Sequence, residues 1–303
     1  MEIKVHHNIT DLYKTLGLSF EHDIDFTILS IPDIHPYIPF ESPKLRADYF
    51  SFIITKDGSG VYYLDDNKFP FDSGTIYFTN PGHIKSYELH ESNDSFIITL
   101  SESFLRENVH SEIYREFPFL LAEIVPPQKM TENDFEEFEI LYKQILREFN
   151  KDSEYKNKIL GNLFMVLLLK IKEKFWSNYN PIEEGNKNSQ IVKSFKKLLE
   201  SEFSKVMDND QNDSKLLALD FADRLNIHPN YLNAVIKSKT GRTVNDWISN
   251  RSLSLAKSLL MNTSLSSKEI AYKLGFSEPT HFSRFFKNHT QLSPNTFRKL
   301  NKS

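Results

Sequence analysis

Phe221-Ala222-Asp223-Arg224-Leu225-Asn226-Ile227-His228-Pro229-Asn230-Tyr231-Leu232 is answered about 50 residues later by Ile270-Ala271-Tyr272-Lys273-Leu274-Gly275-Phe276-Ser277-Glu278-Pro279-Thr280-His281-Phe282. In both copies a small Ala (Ala222, Ala271) lies one turn before a Leu, as two steeply crossing helices require where they touch. Asn226 and Gly275 then supply a residue that tolerates positive φ for a short turn. Pro229 and Pro279 suit the first turn of a second helix, where the missing N–H would have no partner. That second helix turns Leu232, Val235 and Ile236 inward in the first copy, and Phe282, Phe285 and Phe286 in the second. Its other face stays polar, as a helix lying in a DNA major groove requires. One copy alone would equally suit any two packed helices; two copies in the same order set the spacing apart from chance.

The correspondence runs on: Lys239-Thr240-Gly241-Arg242-Thr243-Val244-Asn245-Asp246-Trp247 matches His289-Thr290-Gln291-Leu292-Ser293-Pro294-Asn295-Thr296-Phe297. With Glu269-Ile270-Ala271, Leu274-Gly275-Phe276-Ser277, His281-Phe282-Ser283-Arg284-Phe285-Phe286-Lys287 and Ser293 to Arg298, the stretch resembles the DNA-binding region of the AraC/XylS family of bacterial transcription regulators. The resemblance covers the last 110 or so residues strongly and the rest by domain order.

The outward positions of the two second helices follow from the inward stripes. They are Asn230, Asn233, Ala234 and Lys237, and Pro279, Thr280, Ser283, Arg284 and Lys287. Asn suits adenine, Arg suits guanine, and Lys near a helix end suits phosphate. The resemblance maps base reading onto Asn230, Asn233 and Ala234, and onto Thr280, Ser283 and Arg284. Ala234 stands where family members often carry Arg, so the first copy is expected to lean on its two Asn residues. His228 and Gln291 replace the family's usual Ser and Gly at local caps. A helix from about Val244 to Leu260 joins the copies. At 1.5 Å per residue it spans roughly 24 Å, a rigid spacer able to set two helices into successive major grooves.

Charge divides the chain in the same place. Residues 1–188 hold 19 Lys and Arg against 31 Asp and Glu, while residues 189–303 hold 18 against 10. An acidic part joined to a basic one is the electrostatic footprint of a nucleic-acid-binding domain. With no cysteine there is no disulfide, thiol nucleophile or Cys-bound zinc. Met1 to Asn8 lacks the apolar core of a signal peptide, and the apolar run Phe164 to Leu169 is too short to cross a bilayer. A cytoplasmic protein with no membrane association is expected.

The expected fold is α+β in two domains: a cupin-like β-barrel sensor with two following helices over 1–178, a linker over 179–188, and an all-α double helix-turn-helix over 189–303. Residues 1–30 carry little signal. From Tyr49 to Leu100, short runs rich in aromatic and β-branched residues alternate with turn signals at Asp57-Gly58-Ser59-Gly60, Asp65 to Lys68, Asp72-Ser73-Gly74 and Asn80-Pro81-Gly82-His83. The spacing of Gly74 and Pro81-Gly82 resembles the second half of a cupin barrel, the family's usual sensor. Metal-binding cupins carry His-x-His in a first motif and a His in a second. Here Tyr49 to Phe71 holds no His-x-His, and Lys85 stands in the second-motif place. The barrel is therefore expected to hold no metal or other cofactor, with His83 an ordinary hydrogen-bonding residue.

Tyr49, Phe50, Phe52, Tyr63, Phe78 and Tyr87 are the expected walls of a barrel pocket, and His35, Arg46, Lys85 and Tyr87 its expected polar contacts to an effector. Thr131-Glu132-Asn133-Asp134 caps a helix carrying Phe135, Phe138, Leu141, Tyr142, Ile145, Leu146 and Phe149 at helical spacing. A second helix, from about Ser153 to Trp176, is apolar nearly all round at Leu163 to Leu169. One face could cover the barrel and another a second subunit, although burial within the chain accounts for it equally.

The resemblance implies promoter DNA, a small-molecule effector and a homodimer through the 131–176 helices as partners, with RNA polymerase a further candidate. Two other readings stand beside it: an N-terminal domain that only dimerises or binds a protein, and a metal-dependent cupin enzyme. The missing metal ligands, and the absence of a Ser/His or Cys/His constellation that could be catalytic, argue against the enzyme.

Overall fold

The computed structural model describes residues 4–6, 8–15, 17, 24–122, 125–176, 187–208 and 216–301. The chain forms two compact units, residues 1–113 with 117–181 and residues 114–116 with 182–303. The fold is α+β, with the strands in the first unit and a second unit that is all helical among the described residues. The linker expected at 179–188 lies outside the described residues as far as 186, and the next two residues are already helical.

The first unit begins with β1 (Lys4–His6), α1 (Ile9–Thr15), β2 (Phe26–Ser30), α2 (Ile31–Ile34), β3 (Phe40–Glu41) and β4 (Leu45–Ala47). Then come β5 (Tyr49–Leu64), β6 (Asn67–Phe71), β7 (Thr75–Thr79) and β8 (Ile84–Ser101). After β8 the chain runs through α3 (Glu102–Phe104), a π turn at Leu105–Val109, α4 (Ile113–Glu116), a 3-10 turn at Pro118–Leu121 and β9 (Gln128–Lys129). The helices α5 (Glu132–Phe149) and α6 (Lys156–Phe175) follow.

The long antiparallel pair β5 and β8 organises the sheet. β5 pairs with β7 through Ser51–Thr55 and with β6 through Gly60–Leu64. On its other edge β8 pairs with β2 near Phe96–Leu100 and with β3 and β4 near Ile84–Leu89. Each long strand thus serves two sets of neighbours. The turn expected at Asp57–Gly60 is instead a bulged stretch inside β5, with register shifts between Thr55 and Gly60. For the same reason β8 runs unbroken: it stays paired with β5 across the bulge, and bulges bend a strand without ending it. Gly60 lets the bend close. A Cβ there would lie 2.2 Å from the Glu88 carbonyl oxygen and 2.7 Å from the Phe71 ring.

Thr131 caps α5 as expected, its hydroxyl accepting the Asp134 N–H at 3.2 Å. α6 buries Leu160, Phe164, Leu167, Leu168 and Ile171. Phe164 meets Phe52 edge to face at 5.0 Å between centroids, and Phe26 at 6.2 Å. Ile159, Val166 and Leu169 on α6 and Ile140 on α5 are exposed in the single chain.

The second unit consists of α7 (Lys187–Asp208), α8 (Ala218–Arg224), α9 (Pro229–Thr240), α10 (Val244–Asn262), α11 (Ser267–Lys273), α12 (Pro279–Thr290) and α13 (Pro294–Asn301). They share one core, in which Ala222 and Ala271 are fully buried. Asn226 (φ 54°) and Gly275 (φ 75°) make the two turns. Each turn is closed by the same bond, from Ile227 N to Ala222 O at 3.0 Å and from Phe276 N to Ala271 O at 2.9 Å.

The repeat extends to the far ends of the second helices. Gly241 (φ 78°) and Gln291 (φ 61°) both turn left-handed and donate their N–H to Lys237 O and Lys287 O. The Gln at this position therefore keeps the geometry that Gly makes easy. The side chains of Thr243 with Asp246 and of Ser266 with Glu269 form reciprocal caps at the starts of α10 and α11. A buried Arg251–Glu200 pair at 3.2 Å ties α10 to α7. Arg298 donates to the carbonyls of Leu260 (3.0 Å) and Leu265, holding α13 against the end of α10.

Candidate nucleic-acid interface and cavity

α9 and α12 present the outward residues that the repeat implied. Asn230, Ala234 and Lys237 on α9 and Thr280, Arg284 and Lys287 on α12 are exposed, while Asn233 and Ser283 are half-buried. Leu232, Val235 and Ile236, and Phe282 and Phe286, hold the opposite faces in the core; Phe285 packs at its margin. The 19 residues of α10 give a spacer of about 28 Å, longer than the sequence suggested.

The polar side chains differ in how far they are committed. Asn233 accepts the Val244 N–H at 3.1 Å, so its oxygen serves the start of α10 and its amide N–H groups remain for other partners. The Asn230 N–H is taken by His228 Nδ1 at 3.2 Å, so His228 caps α9 in place of the family's Ser. Glu278 accepts the Thr280 hydroxyl at 3.0 Å. Arg284 lines a surface hollow with Gly275, Phe276, Ser277, His281, Phe285 and Asn288. Tyr231 and Tyr272, which sequence spacing did not single out, are exposed on α9 and α11.

The first unit encloses a cavity of about 100 Å³. Three of the four expected polar contacts line it: His35, Lys85 and Tyr87. Arg46 does not. Side chains alternate along a strand, and on β4 it is Leu45 that faces in. His35 Nε2 and the Tyr87 hydroxyl are 2.7 Å apart, and the imidazole stacks on Phe40 at 3.9 Å between centroids. Burial lowers the His35 pKa, favouring a neutral ring, and raises that of Tyr87. Lys85 Nζ donates to Thr79 Oγ1 at 2.9 Å and lies 4.7 Å from the centre of the Tyr49 ring. Burial pulls the Lys85 pKa down to about 7.

Alternation also corrects the expected walls. Tyr49 and Tyr87 face the cavity. Phe50, Phe52 and Phe78 do not line it; Phe52 packs on Phe78 at 5.1 Å and on Phe164 of α6. Tyr63 instead donates to Glu88 at 2.7 Å. The walls the sequence did not offer include Ser51, Ile53, Tyr62, Tyr77 and Thr79, with Leu12 and Tyr13 from α1. Alternation from Tyr87 reaches its partner Tyr62, but the register shifts between Thr55 and Gly60 move the inward face of β5 from even to odd positions, so counting from Tyr62 points to Phe52 and misses Ser51 and Ile53. Nothing in the sequence near α1 carries such a period. His83 Nδ1 lies 2.7 Å from Asp65 Oδ2, a structural pairing at the strand start. Among the described residues, no three His, Asp or Glu side chains gather as a metal site.

Two family models match the chain in the order of its units: the AraC-like ligand binding domain over residues 39–148 and a helix-turn-helix domain over residues 221–300. The chain is similar to the uncharacterized HTH-type transcriptional regulator YfiF of Bacillus subtilis, 24% identical over 85% of this chain and 79% of that one. It is 30% identical to the Msm operon regulatory protein of Streptococcus mutans, over 46% of this chain and 47% of that one. It is 23% identical to the HTH-type transcriptional activator RhaS of Escherichia coli, over 88% and 91% of the two chains.

Proposed function

Since the chain belongs to the AraC family of DNA-binding transcription regulators, with an N-terminal ligand-binding domain, we propose that it reads a promoter through α9 and α12 under the control of a small molecule held in the cavity. One observation carries the DNA reading. Two equivalent helices, each buried along one face, expose Asn230, Ala234 and Lys237 in one case and Thr280, Arg284 and Lys287 in the other. Arg284 is the residue suited to a bidentate contact with guanine, and Lys237 and Lys287 are suited to phosphate. Asn230, Asn233, Thr280 and Ser283 complete the reading surface. RNA polymerase belongs to the same reading, as the partner of a regulator seated on a promoter.

The control reading draws on the cavity and on the polar groups His35, Lys85 and Tyr87 within it. Regulation by binding, not catalysis, is the role assigned, and no helix among the described residues is long and apolar enough to cross a membrane. Exposed Ile159, Val166 and Leu169 on α6 favour a homodimer through the 131–176 helices, since a row of apolar side chains on one helix face is costly to leave in water. The test of the DNA reading is retention of promoter DNA in a gel. Replacing Lys237 and Lys287 together with Glu should abolish retention while leaving the circular-dichroism spectrum unchanged. Undiminished retention by that variant would count against the proposed face.

A further inference from the structure

Within the reading of the first unit as a ligand-binding domain, the geometry points to the class of ligand: a small monocarboxylate with an apolar or aromatic body, its carboxylate seated on Lys85 Nζ. Lys85 is only 8% exposed. An ammonium has three N–H donors. Here one goes to Thr79 Oγ1, the Tyr49 ring covers the group from one side, and among the described residues no carboxylate forms an ion pair with it, Asp48 pulling only from beyond contact distance. A buried cation in this state is costly until an anion joins it. The lowered pKa of the free amine reflects the same cost. A ligand carboxylate would supply both the counter-charge and acceptors for the remaining N–H groups. The Tyr49 hydroxyl, buried without a hydrogen-bond partner among the described residues, offers one more donor from the same wall.

The rest of the cavity selects the body. Leu12, Ile31, Ile34, Ile53, Leu89 and Ile97 line it, and a volume of about 100 Å³ is on the scale that an aromatic ring or a short branched chain fills. A cationic ligand would meet Lys85 with like charge.

The test is calorimetry and thermal shift on the full chain with benzoate, phenylacetate and 4-methylpentanoate, each beside its primary amide, repeated with Lys85→Met. The expected result is that at least one carboxylate raises the melting temperature and binds about tenfold or more tightly than its amide. Lys85→Met should erase that preference. If the variant does not fold, the carboxylate-over-amide ratio on the unaltered chain decides by itself. Amides binding as tightly as their acids, or a preference that survives Lys85→Met, would overturn the assignment and leave the ligand-binding reading standing. Failure of all six compounds to bind would also overturn the assignment. The ligand-binding reading falls with it only if native mass spectrometry finds no compound carried by the purified chain.

Discussion

The side-chain oxygen of Asn233 on α9 accepts the backbone N–H of Val244, the first residue of α10, at 3.1 Å. One residue thus stands on the proposed reading face and also satisfies an N–H that the start of α10 would otherwise leave open.

Asn233 and Asn230 should therefore respond differently to truncation. Asn233→Ala should cost about 1 kcal/mol or more of stability as well as weakening DNA binding, because it strands the Val244 N–H. Asn230→Ala should weaken binding to A·T-containing sites at nearly unchanged stability. Thermal melts and titrations of both variants separate the two; equal melting temperatures would contradict the role given to Asn233.

Arg284 and Lys287 lie close together on α12 and are proposed for different tasks. Arg284→Ala should cost about 1–3 kcal/mol at the specific site and relax preference at one base pair. Lys287→Ala should weaken binding to all sequences alike and lower the salt slope by about one. Base-preference profiles of the two variants check this. An unchanged profile for Arg284→Ala would remove it from base reading.

Gly161 sets how closely α6 approaches the π turn. A Cβ there would lie 2.1 Å from the Asn108 carbonyl oxygen, which is backbone and cannot swing away. Gly161→Ala should destabilise the first unit by about 1–3 kcal/mol, as overpacking does. A melting temperature equal to that of the unaltered chain would show that the helix can back away freely.

Lys85 predicts a pH dependence. Its folded pKa of about 7 lies below the ordinary 10.5, through burial that outweighs the pull of Asp48. Below the folded value the amine is charged in both states, and folding bears the full cost of burying it. Between the two values the unfolded chain holds more protons, so stability rises with pH. Lys85→Met lacks that rise. In urea unfolding the unaltered chain should therefore gain on the variant between about pH 7 and 10. A difference that stays flat with pH would contradict the buried amine.

The helical unit was legible because its signals are local. Ala222, Asn226 and Pro229 recur as Ala271, Gly275 and Pro279, and each is dictated by the turn it occupies. The cap at Thr131 was readable for the same reason. The cavity was less legible, because what decides it is non-local. Arg46 and Leu45 look equally available in sequence, and only the pairing of β4 with β8 turns Leu45 inward. Phe50, Phe52 and Phe78 are strand residues of the right kind, but they belong to the other face of the sheet. Asp57-Gly58-Ser59-Gly60 has the composition of a turn, and its bulge exists because β8 continues alongside. The second duty of Asn233 depends on where α10 begins, which the helical repeat of α9 alone does not reveal.

The central claim is that α9 and α12, joined by α10, read DNA as a pair. The most direct measurement is selection from random duplexes by the full chain at low salt. Two conserved blocks should emerge with centres about one helical turn apart, roughly 10–10.5 base pairs. One block should be rich in A·T pairs and the other should contain a guanine that Arg284→Ala no longer selects. Binding to the winning sequence should fall steeply as salt rises. No enrichment, or a single block unaffected by changes in either α9 or α12, would contradict the account.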